Sequence, residues 1–596
     1  MSLSAKEQAE RFLAESGQFR LGELTTEASH QVTRNLSEAA SRSISEALRL
    51  LFDVDRDVIE TYRRWIGTEA PKQIADNVSQ ALKQGHHVFF TGCGATGRLS
   101  ILLETYFRRV LPAALQDRVH SVMAGGDYAL IKSVEGFEDF AQFGAKQIED
   151  MGVSAGDVVF AITEGGETSF VIGMAWKALE KGATVYFVYN NPDETLRKRV
   201  ERSRNVLDEP RITKVNLTTG PMAIMGSTRM QATTIQLCAV FTILQMALQR
   251  LTSQPIRNIA SEFLADLEET HGTLKSDEVR DQLATIVEAE ARTYASGHKS
   301  TYFADALGID VLTDTTERSP TFCTPAFRKW DDPDACESWT HLILPYPDSK
   351  STWTGLLGRP PYGLTWTDAE IRALVGDEKA TRQSEIMKNI GPDEILRFRM
   401  GLDGLQSRPI CVGDIAVAVM SGREDDSYEA TGSFFRDQLQ SAMGKGATGA
   451  LIYLGQEENW IKTRETLGDL DTHLITAFIP VKSTAWANEI AHVAAKMALN
   501  ALSTCIMVCL GRVIGNCMVC VVPSNLKLID RSVRYVQTLT GLSYEDACHR
   551  LFESIEYVRS RMESGQAYPP PVALTVKRIE CGLTLADAEA ALEQET

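Results

Sequence analysis

The residues of this chain whose types and spacing most clearly favour chemistry are TGCGATGR at positions 91–98, directly after the apolar run VFF. Glycines between a strand and a helix let the backbone approach a ligand closely, so that successive N–H groups can point at one anion. Thr96 adds a hydroxyl group to this loop. The segment therefore predicts a phosphate cradle, with a plain strand-to-helix turn as the alternative.

A second loop of the same kind follows the next apolar strand along the chain. Its sequence is TEGGET at positions 163–168, again hydroxyl groups and glycines that lead into a helix. Because open α/β sheets bind ligands in the crevice at the carboxyl ends of their strands, two such loops are expected to converge on one site. Two loops on successive units indicate an anion site better than one loop does.

Cofactors and metals are not predicted. No acidic residue follows a second strand at the distance that a nicotinamide-binding unit requires. A zinc site is suggested only by the spacing of four cysteines, and their neighbours are Ile, Met, Val and Leu rather than polar turn residues. We expect these thiols to be free and buried; they are Cys505, Cys509, Cys517 and Cys520.

The elements that must position the two loops are predicted from apolar runs and turns. Strands at 157–163 and 184–190 enclose a helix, and this alternation predicts a parallel sheet with right-handed crossovers. A long helix begins near Ser227, and a polar helical segment covers about 255–290. Further strand-like runs predict a second lobe and thus an internal duplication; they lie at 340–346, 409–420, 450–455 and 473–480.

Composition limits the partners and the compartment. The formal net charge of −18 argues against nucleic acid as a main partner, because phosphate backbones need a basic face. The N-terminus shows no secretory signal, and the apolar stretch 501–523 is interrupted by Arg512 and Asn516. We therefore predict a cytoplasmic protein without a membrane span, in which this stretch forms a buried core helix and a second segment.

Several motifs in order resemble one known family. They are the loop at 91–98, MAGG at 123–126, VEGFED at 134–139 and GSTRM at 226–230, preceded by LTTEAS at 24–29. This series resembles the sugar isomerase (SIS) family of N-acetylmuramic acid 6-phosphate etherases and vertebrate glucokinase regulatory proteins. The resemblance is specific over roughly 24–235 and 500–550 and thin across the second lobe.

The resemblance implies the architecture. The expected fold is α/β, with two SIS domains of flavodoxin-like, three-layer αβα type and a helical C-terminal cap. The predicted boundaries are 1–75 for an N-terminal helical segment, 76–255 for the first SIS domain, 285–495 for a second, degenerate one, and 500–596 for the cap. Two lobes and a cap in one chain are the regulator's layout, whereas the etherases are single-lobed homodimers. We therefore expect a monomer that acts as an internal pseudo-dimer with one working site, because the second lobe's loop at 304–308 has a single glycine and an aspartate.

The resemblance also implies two functional carboxylates. One matches Glu138; the alternative for this residue is a solvated charge in an acidic helix start. The other family carboxylate follows the loop arginine by eight residues, where this chain has Tyr106, a poor base at neutral pH. Glu317, in the second-lobe segment TERSPTF, resembles the missing glutamate and could reach across to the first lobe, with a surface charge as the alternative.

A cation for the phosphate is implied by PSNLKLIDR at 523–531, which resembles a segment of both relatives. Lys527 and Arg531 are four residues apart and would share one helix face, so they could clamp one anion. The predicted binding residues are those of the two loops, the two carboxylates, one serine and these cations: Gly92, Gly94, Ala95, Thr96, Gly97, Glu138, Thr163, Glu164, Gly165, Glu167, Thr168, Ser227, Glu317, Lys527 and Arg531.

The chain departs from the family pattern near the expected phosphate. Gly165 and Gly166 stand where the family has Ser-Gly, Gln231 stands where a lysine is usual, and Glu164 and Glu167 add negative charge. The leading hypothesis is a non-catalytic sensor of a hexose phosphate or amino-sugar phosphate, similar to glucokinase regulatory protein, with a sugar kinase as a candidate partner. The alternative is an etherase-type lyase with Glu138 and Glu317 as acid and base. An aldose–ketose isomerase is the weakest option.

Overall fold

The computed structural model describes residues 4–15, 21–134, 136–252, 257–421, 428–482, 489–523, 526–564 and 568–595. Glu135, Ser524 and Asn525, which belong to two of the motifs, lie outside these ranges. The chain begins with amphipathic helices whose apolar faces pack into the core. They are α1 (Ala5–Glu15), α2 (Leu36–Arg42), α3 (Ile44–Val54), α4 (Arg56–Ile66) and α5 (Ala70–Lys83).

The first lobe is a parallel five-stranded sheet with strand order β2-β1-β3-β4-β5. β1 and β3 are buried along their whole length, as expected for central strands covered by helices on both faces. The strand order changes direction between β1 and β3, and such a switch point opens a crevice at the carboxyl ends of the strands. The elements are β1 (Val88–Gly92), α6 (Ala95–Val110), β2 (Val119–Met123), α7 (Ala141–Asp150), β3 (Val158–Ile162), α8 (Ser169–Glu180), β4 (Thr184–Tyr189), α9 (Asp193–Arg199), α10 (Glu201–Asp208), β5 (Ile212–Asn216) and α11 (Gln231–Thr252).

The second lobe repeats this arrangement. Two connecting helices lead to a parallel sheet of order β10-β9-β8-β6-β7, which is the strand order of the first lobe in its own numbering. The elements are α12 (Ile259–Leu274), α13 (Asp277–Ala295), β6 (Ser300–Ala304), α14 (Gly308–Phe322), β7 (Thr340–Ile343), α15 (Ser349–Leu357), α16 (Asp368–Val375), α17 (Asp377–Met387), α18 (Gly404–Ser407), β8 (Ile415–Ser421), α19 (Tyr428–Gly444), β9 (Thr448–Gly455), α20 (Glu457–Leu467) and β10 (Ile475–Pro480).

Two long apolar helices form the centre of the molecule. α11 packs against α5 and α6, and α21 (Glu489–Cys509) packs against α13, α14 and α11. Both are long and apolar enough to cross a membrane, but 94% and 89% of their apolar windows are buried inside the protein. They therefore have the burial expected of core helices.

The C-terminal region is helical and closes over the first lobe. A short hairpin, β11 (Val513–Ile514) and β12 (Cys517–Met518), precedes α22 (Leu526–Thr540), α23 (Tyr544–Ser564), α24 (Pro571–Cys581) and α25 (Leu585–Glu595). α1 packs against α23, where the rings of Phe12 and Phe552 lie 6.0 Å apart.

The segment between β7 and β8 ties the second lobe to the first. Arg359 enters the first lobe and donates to Glu104 at 2.8 Å and to Asp127 at 2.6 Å. All three side chains are buried. The indole of Trp366 donates to Asp150 at 2.7 Å and stacks on Phe137. A buried ion cluster that bridges the lobes fixes their relative position, because separating it would leave charges unpaired.

The predicted fold class is confirmed: two parallel α/β sheets with a helical C-terminal region. The predicted strands lie within two residues of β3, β4, β9 and β10, whereas the run at 340–346 ends three residues after β7 and the run at 409–420 begins six residues before β8. Three strands of the two parallel sheets were not predicted, namely β2, β5 and β6, and neither was the hairpin of β11 and β12. The predicted domain boundaries stay a prediction.

Candidate functional site

The first loop owes its shape to three glycines. A Cβ on Gly92 would overlap the backbone of Thr96, and one on Gly97 would lie 2.6 Å from the Cγ atom of Met123. Gly94 has a φ of 56° and open space where a side chain would be. Gly94 is also the N-cap of α6, and no side chain caps this helix end. The first amides of α6 thus have no capping side chain as acceptor, as an anion site requires.

The hydroxyl of Thr96 is hydrogen-bonded to the backbone of the first loop. It donates to the carbonyl oxygen of Cys93 at 2.9 Å and accepts from the amide of the same residue at 3.2 Å. The Oγ1 atom of Thr96 also lies 3.4 Å from Oε2 of Glu164, which links the first loop to the second. Sequence reasoning assigned this hydroxyl to a ligand; the structure shows it bonded within the protein.

The second loop is braced from several sides. The hydroxyls of Thr163 and Thr168 lie 3.1 Å apart. Ser203 donates to the carbonyl oxygen of Gly166 at 2.7 Å, and Asn191 donates to that of Gly165 at 2.8 Å. These side chains satisfy two carbonyl groups of the loop and so support its backbone conformation.

The cap helix α22 reaches the second loop through Lys527. Its Nζ donates to Oε1 of Glu167 at 2.6 Å, and Arg202 donates to Oε2 of the same carboxylate at 2.9 Å. Burial alone would raise the pKa of Glu167, but the charges of Lys527 and Arg202 outweigh it and hold the pKa below its usual range. The pKa of Lys527 is raised, because Glu167 and Glu138 outweigh the cost of burial. The two loops and the cap cation predicted from the sequence therefore meet at one place.

Arg531 does not share an anion with Lys527. Its Nε and Nη2 atoms donate to Glu27 at 3.1 and 2.6 Å, and Arg534 donates to the same carboxylate at 2.7 Å. Burial would raise the pKa of Glu27, but the two guanidinium groups lower it to about 2. Arg531 also lies so close to Gly226 that a Cβ there would be 2.6 Å from Nε, which places it beside the backbone that leads to Ser227.

The N-terminal segment LTTEAS therefore belongs to the site region. Thr25 donates to Oδ1 of Asn191 at 2.7 Å, and the Nδ2 group of Asn191 donates to Thr26 at 3.0 Å. Together with Glu27, these contacts connect the second loop to the cap helix. Sequence reasoning missed Asn191, Glu27 and Arg202 as site residues. For Asn191 a signal existed, since an Asn-Asn pair ends the predicted strand 184–190.

Glu138 lies in a short 3-10 turn, Phe137–Asp139, that follows Gly136 in the left-handed region. It makes no hydrogen bond among the described residues, and burial raises its pKa, with Lys527 opposing and Glu167 adding to the shift. The turn is held by Phe137, which packs on Phe143 at 4.8 Å. Glu138 is thus a carboxyl group near the cap cation that is available to a ligand.

Glu317 lies on α14 of the second lobe and is 5% exposed. It also has no hydrogen bond within the described part of the chain, and burial raises its pKa against the lowering effects of Arg98 and Arg229. Arg98, from the first loop's helix, donates to Thr316 at 3.4 Å, which brings α6 and α14 together. Glu317 does extend from the second lobe toward the first.

Burial changes the protonation of two further groups. It raises the pKa of Glu164 to about 7, and the like charges of Glu317 and Glu167 add to this shift while Lys527 opposes it. It lowers the pKa of Lys496 to about 8, against the raising effect of Glu317. Titratable groups with shifted pKa values are concentrated at functional sites.

Comparison with known proteins gives the same family from two directions. Residues 72–178 match the family model of the N-terminal SIS domain of glucokinase regulatory protein. An N-acetylmuramic acid 6-phosphate etherase of Clostridioides difficile (strain 630) is 29% identical over 228 residues, which covers 38% of this chain and 69% of that protein. The enzyme of the same name from Yersinia pestis (strain Pestoides F) is 30% identical over 216 residues, 36% of this chain and 68% of that protein.

A similar solved structure is the C-terminal domain of glucosamine-fructose-6-phosphate aminotransferase from Francisella tularensis. It has a TM-score of 0.45 and 11% sequence identity, and the match covers 79% of this chain and 96% of that chain.

Proposed function

Since the chain belongs to the SIS family of N-acetylmuramic acid 6-phosphate etherases and glucokinase regulatory protein, we propose that it binds a phosphorylated sugar at the two loops of the first lobe. The observation that carries the proposal is the meeting of these loops with Lys527 of the cap. Uncapped amides at the start of α6 and one cation on the opposite side are the elements that hold a phosphate group.

The binding step is an exchange of partners. Lys527 is bonded to Glu167 at 2.6 Å. A phosphate group between α6 and Lys527 would compete with this carboxylate, and Arg202 would keep Glu167 paired at 2.9 Å. Asn191 already uses its amide group on Thr25, Thr26 and Gly165, so in this proposal it holds the second loop in shape, and the hydroxyls of Thr163 and Thr168 are the groups that would contact the sugar.

The finer proposal is a sensor similar to glucokinase regulatory protein. Because α22 carries both Lys527 and Arg531, ligand occupancy is coupled to the cap, and any partner that contacts the cap would respond to the sugar. A sugar kinase is the partner that the family resemblance suggests. The proposal includes a cytoplasmic monomer in which the second lobe supplies Glu317 in place of a second subunit.

A second candidate, an etherase-type lyase, is favoured by Glu138 and Glu317. Both are carboxyl groups with raised pKa values and without hydrogen-bond partners among the described residues. One would accept the proton beside the sugar carbonyl, and the other would protonate the ether oxygen as the C–O bond breaks, with water then adding to the sugar. The curated relatives bear the name of this activity.

One experiment separates the two candidates. Purified protein is incubated with N-acetylmuramic acid 6-phosphate, and D-lactate release is followed. The sensor predicts no release, whereas release that Glu138→Gln abolishes would establish the lyase and overturn the sensor.

Binding itself is tested by thermal shift with fructose 6-phosphate, fructose 1-phosphate and amino-sugar phosphates. A ligand at ~100 times its Kd stabilises the folded state by about 2.7 kcal/mol. Lys527→Met should lose the shift, and Lys388→Met on the surface of the second lobe should keep it. A wild-type protein that no phosphorylated sugar stabilises would contradict the proposal.

A further inference from the structure

A second cleft with an unusual set of charged groups lies on the second lobe. It is lined by three arginines, Arg328, Arg399 and Arg408, together with Trp330, Glu337 and His341. His341 is the second residue of β7, and Arg408 donates to the backbone oxygens of Ser300 and Ser338, which lie at the starts of β6 and β7. The cleft is therefore at the amino ends of these strands, opposite to the end where the first lobe has its loops.

The arginines of this cleft have unused donors. Arg328 and Arg399 donate no hydrogen bond to any residue that the structure describes. Arg328 lies 3.9 Å from Glu337, and Arg399 stacks on the ring of Trp330 at 3.8 Å and lies 3.6 Å from Asp403. Each guanidinium group carries five N–H donors in a planar arrangement that suits an oxyanion.

Arg408 adds a buried donor to the same cleft. The side chain is 8% exposed, and its Nη groups are bonded to Thr301 and to backbone oxygens. Its Nε atom is buried and has no hydrogen-bond partner; the ion-pair contact to Oε1 of Glu337 is 3.7 Å long. A buried polar atom without a partner costs free energy unless water or a ligand satisfies it.

His341 supplies an acceptor. Its Nε2 atom lies 2.9 Å from the carbonyl oxygen of Arg399 and must carry the proton, since a carbonyl oxygen only accepts. Nδ1 is then a bare lone pair, and it has no hydrogen-bond partner. Burial lowers the pKa of His341 to about 3, with Arg408 adding to the effect, so the ring is neutral and Nδ1 remains an acceptor.

The charge of the cleft is positive. Lys299 donates to Glu337 at 2.7 Å, and Asp414 also acts on Arg408, so four cations face three carboxylates, Glu337, Asp403 and Asp414. This local excess occurs in a chain with a formal net charge of −18. Such a cleft attracts a small anion. Because Nδ1 of His341 is an acceptor without a partner, an anion that satisfies it must also carry an O–H donor.

We propose that this cleft is a second anion site, which binds a phosphate group that carries one proton. The unprotonated oxygens accept from Arg328, Arg399 and the Nε atom of Arg408. The P–O–H group donates to Nδ1 of His341. Inorganic phosphate at neutral pH carries at least one P–O–H group in every molecule, and a phosphate monoester, whose second pKa is about 6, carries one in part of its population. Sulfate has none, so the site is selective for phosphate over sulfate. The same chemistry is offered by inorganic phosphate and by a phosphate monoester.

The test is calorimetric titration of the full-length protein with inorganic phosphate, phenyl phosphate and sulfate. The double variant Arg328→Gln/Arg399→Gln changes two partly exposed side chains. Arg464→Gln is the matched control, since Arg464 also lies over a tryptophan, Trp460, at 5.7 Å on the same lobe. Lys527→Met removes the cation of the first site and identifies which binding event belongs to which site.

We expect one phosphate-binding event that weakens by about tenfold or more in the double variant and is unchanged in Arg464→Gln and Lys527→Met; tenfold corresponds to ~1.4 kcal/mol. Sulfate should bind this site more weakly than phosphate. Tighter binding of phenyl phosphate than of phosphate would indicate a monoester as the natural ligand, and equal or weaker binding would indicate free phosphate.

Three results would overturn the proposal. The first is the absence of any phosphate binding at concentrations up to ~10 mM, where even a weak Kd of ~1 mM would be evident. The second is phosphate binding that the double variant leaves unchanged. The third is sulfate binding as tight as that of phosphate. Melting curves of the double variant check that it is folded.

Discussion

The two lobes have the same strand order but different chemistry at the carboxyl ends of their central strands. After β1 the first lobe has a glycine loop with open space at Gly94, and the cap places Lys527 opposite. After β6 the second lobe has a loop in which Leu307 is buried and Gly308 is pressed against Leu356 and Leu344. The topology thus provides a crevice twice, and the loop residues decide whether it can hold an anion.

The two lobes form one folded unit if the ion pairs of Arg359 with the first lobe hold them together, and a variant of Arg359 tests this. Arg359→Met leaves Glu104 and Asp127 buried without their counter-charge, so we expect a loss of about 3–5 kcal/mol in the free energy of unfolding. Arg372→Met, at an exposed ion pair of the same lobe, should change it by less than ~0.5 kcal/mol. Equal effects in denaturant titrations would show that the bridge does not hold the lobes together.

The second prediction compares one glycine from each lobe. Gly92→Ala forces a Cβ into the backbone of Thr96, so we expect a destabilisation of ~3 kcal/mol and the loss of sugar-phosphate binding. Gly308→Ala meets only the ends of two leucine side chains, at 2.9 and 3.1 Å, and should cost about 1 kcal/mol.

Unfolding midpoints and calorimetric titration of both glycine variants provide the measurement. A Gly92→Ala protein that still binds ligand with wild-type affinity would remove the glycine loop from the site.

The fold was largely predictable because its central strands are buried. Continuous apolar runs such as VVFAI in β3 indicate a strand that is covered on both faces. β5, ITKVN, is an edge strand with exposed and buried positions, and β2 contains a histidine. Such short mixed segments have no pattern that separates them from loops.

The site was predictable only where its parts are local in sequence. The two loops are local motifs, so the sequence alone indicates them as candidates. The spacing of Lys527 and Arg531 correctly places them on one helix, but spacing does not reveal a partner. Arg531 pairs with Glu27, which is 504 residues away in the chain, so no local pattern could show that this cation is already neutralised.

The third prediction concerns Glu164, which lies in the second loop of the first lobe. Its pKa is raised to about 7, so the group gains charge as the pH rises through 7, and a charged Glu164 repels phosphate. Lys527 stays charged in this range because its pKa is raised. Affinity for a sugar phosphate should therefore fall by up to about tenfold per pH unit between pH 7 and 9.

Calorimetry at pH 7, 8 and 9 measures this dependence. Glu164→Gln should make the affinity nearly independent of pH above 7, and Glu457→Gln, an exposed carboxylate on α20, should keep the wild-type slope. The other charged groups that act on Glu164 are Lys527, Glu317 and Glu167, and all three are retained in these variants. A wild-type affinity that stays constant or rises with pH would exclude Glu164 from the phosphate's surroundings.

The smallest effect is expected at Tyr106, which occupies in the first lobe the position that Glu317 occupies in the second by the family match. The hydroxyl of Tyr106 is bonded to Glu489, and its ring packs on Phe241 at 4.6 Å, so it belongs to the core. Tyr106→Phe should cost about 1 kcal/mol of stability and leave sugar-phosphate affinity unchanged. Glu317→Gln should weaken sugar-phosphate binding and leave the free energy of unfolding nearly unchanged. The carboxyl group of Glu317 has no hydrogen bond to lose within the described chain, and it interacts with the charges of Arg98 and Arg229. If Tyr106→Phe weakens ligand binding as much as Glu317→Gln does, both lobes contribute equally to one site. That result would contradict the assignment of Tyr106 to the core and of Glu317 to the site.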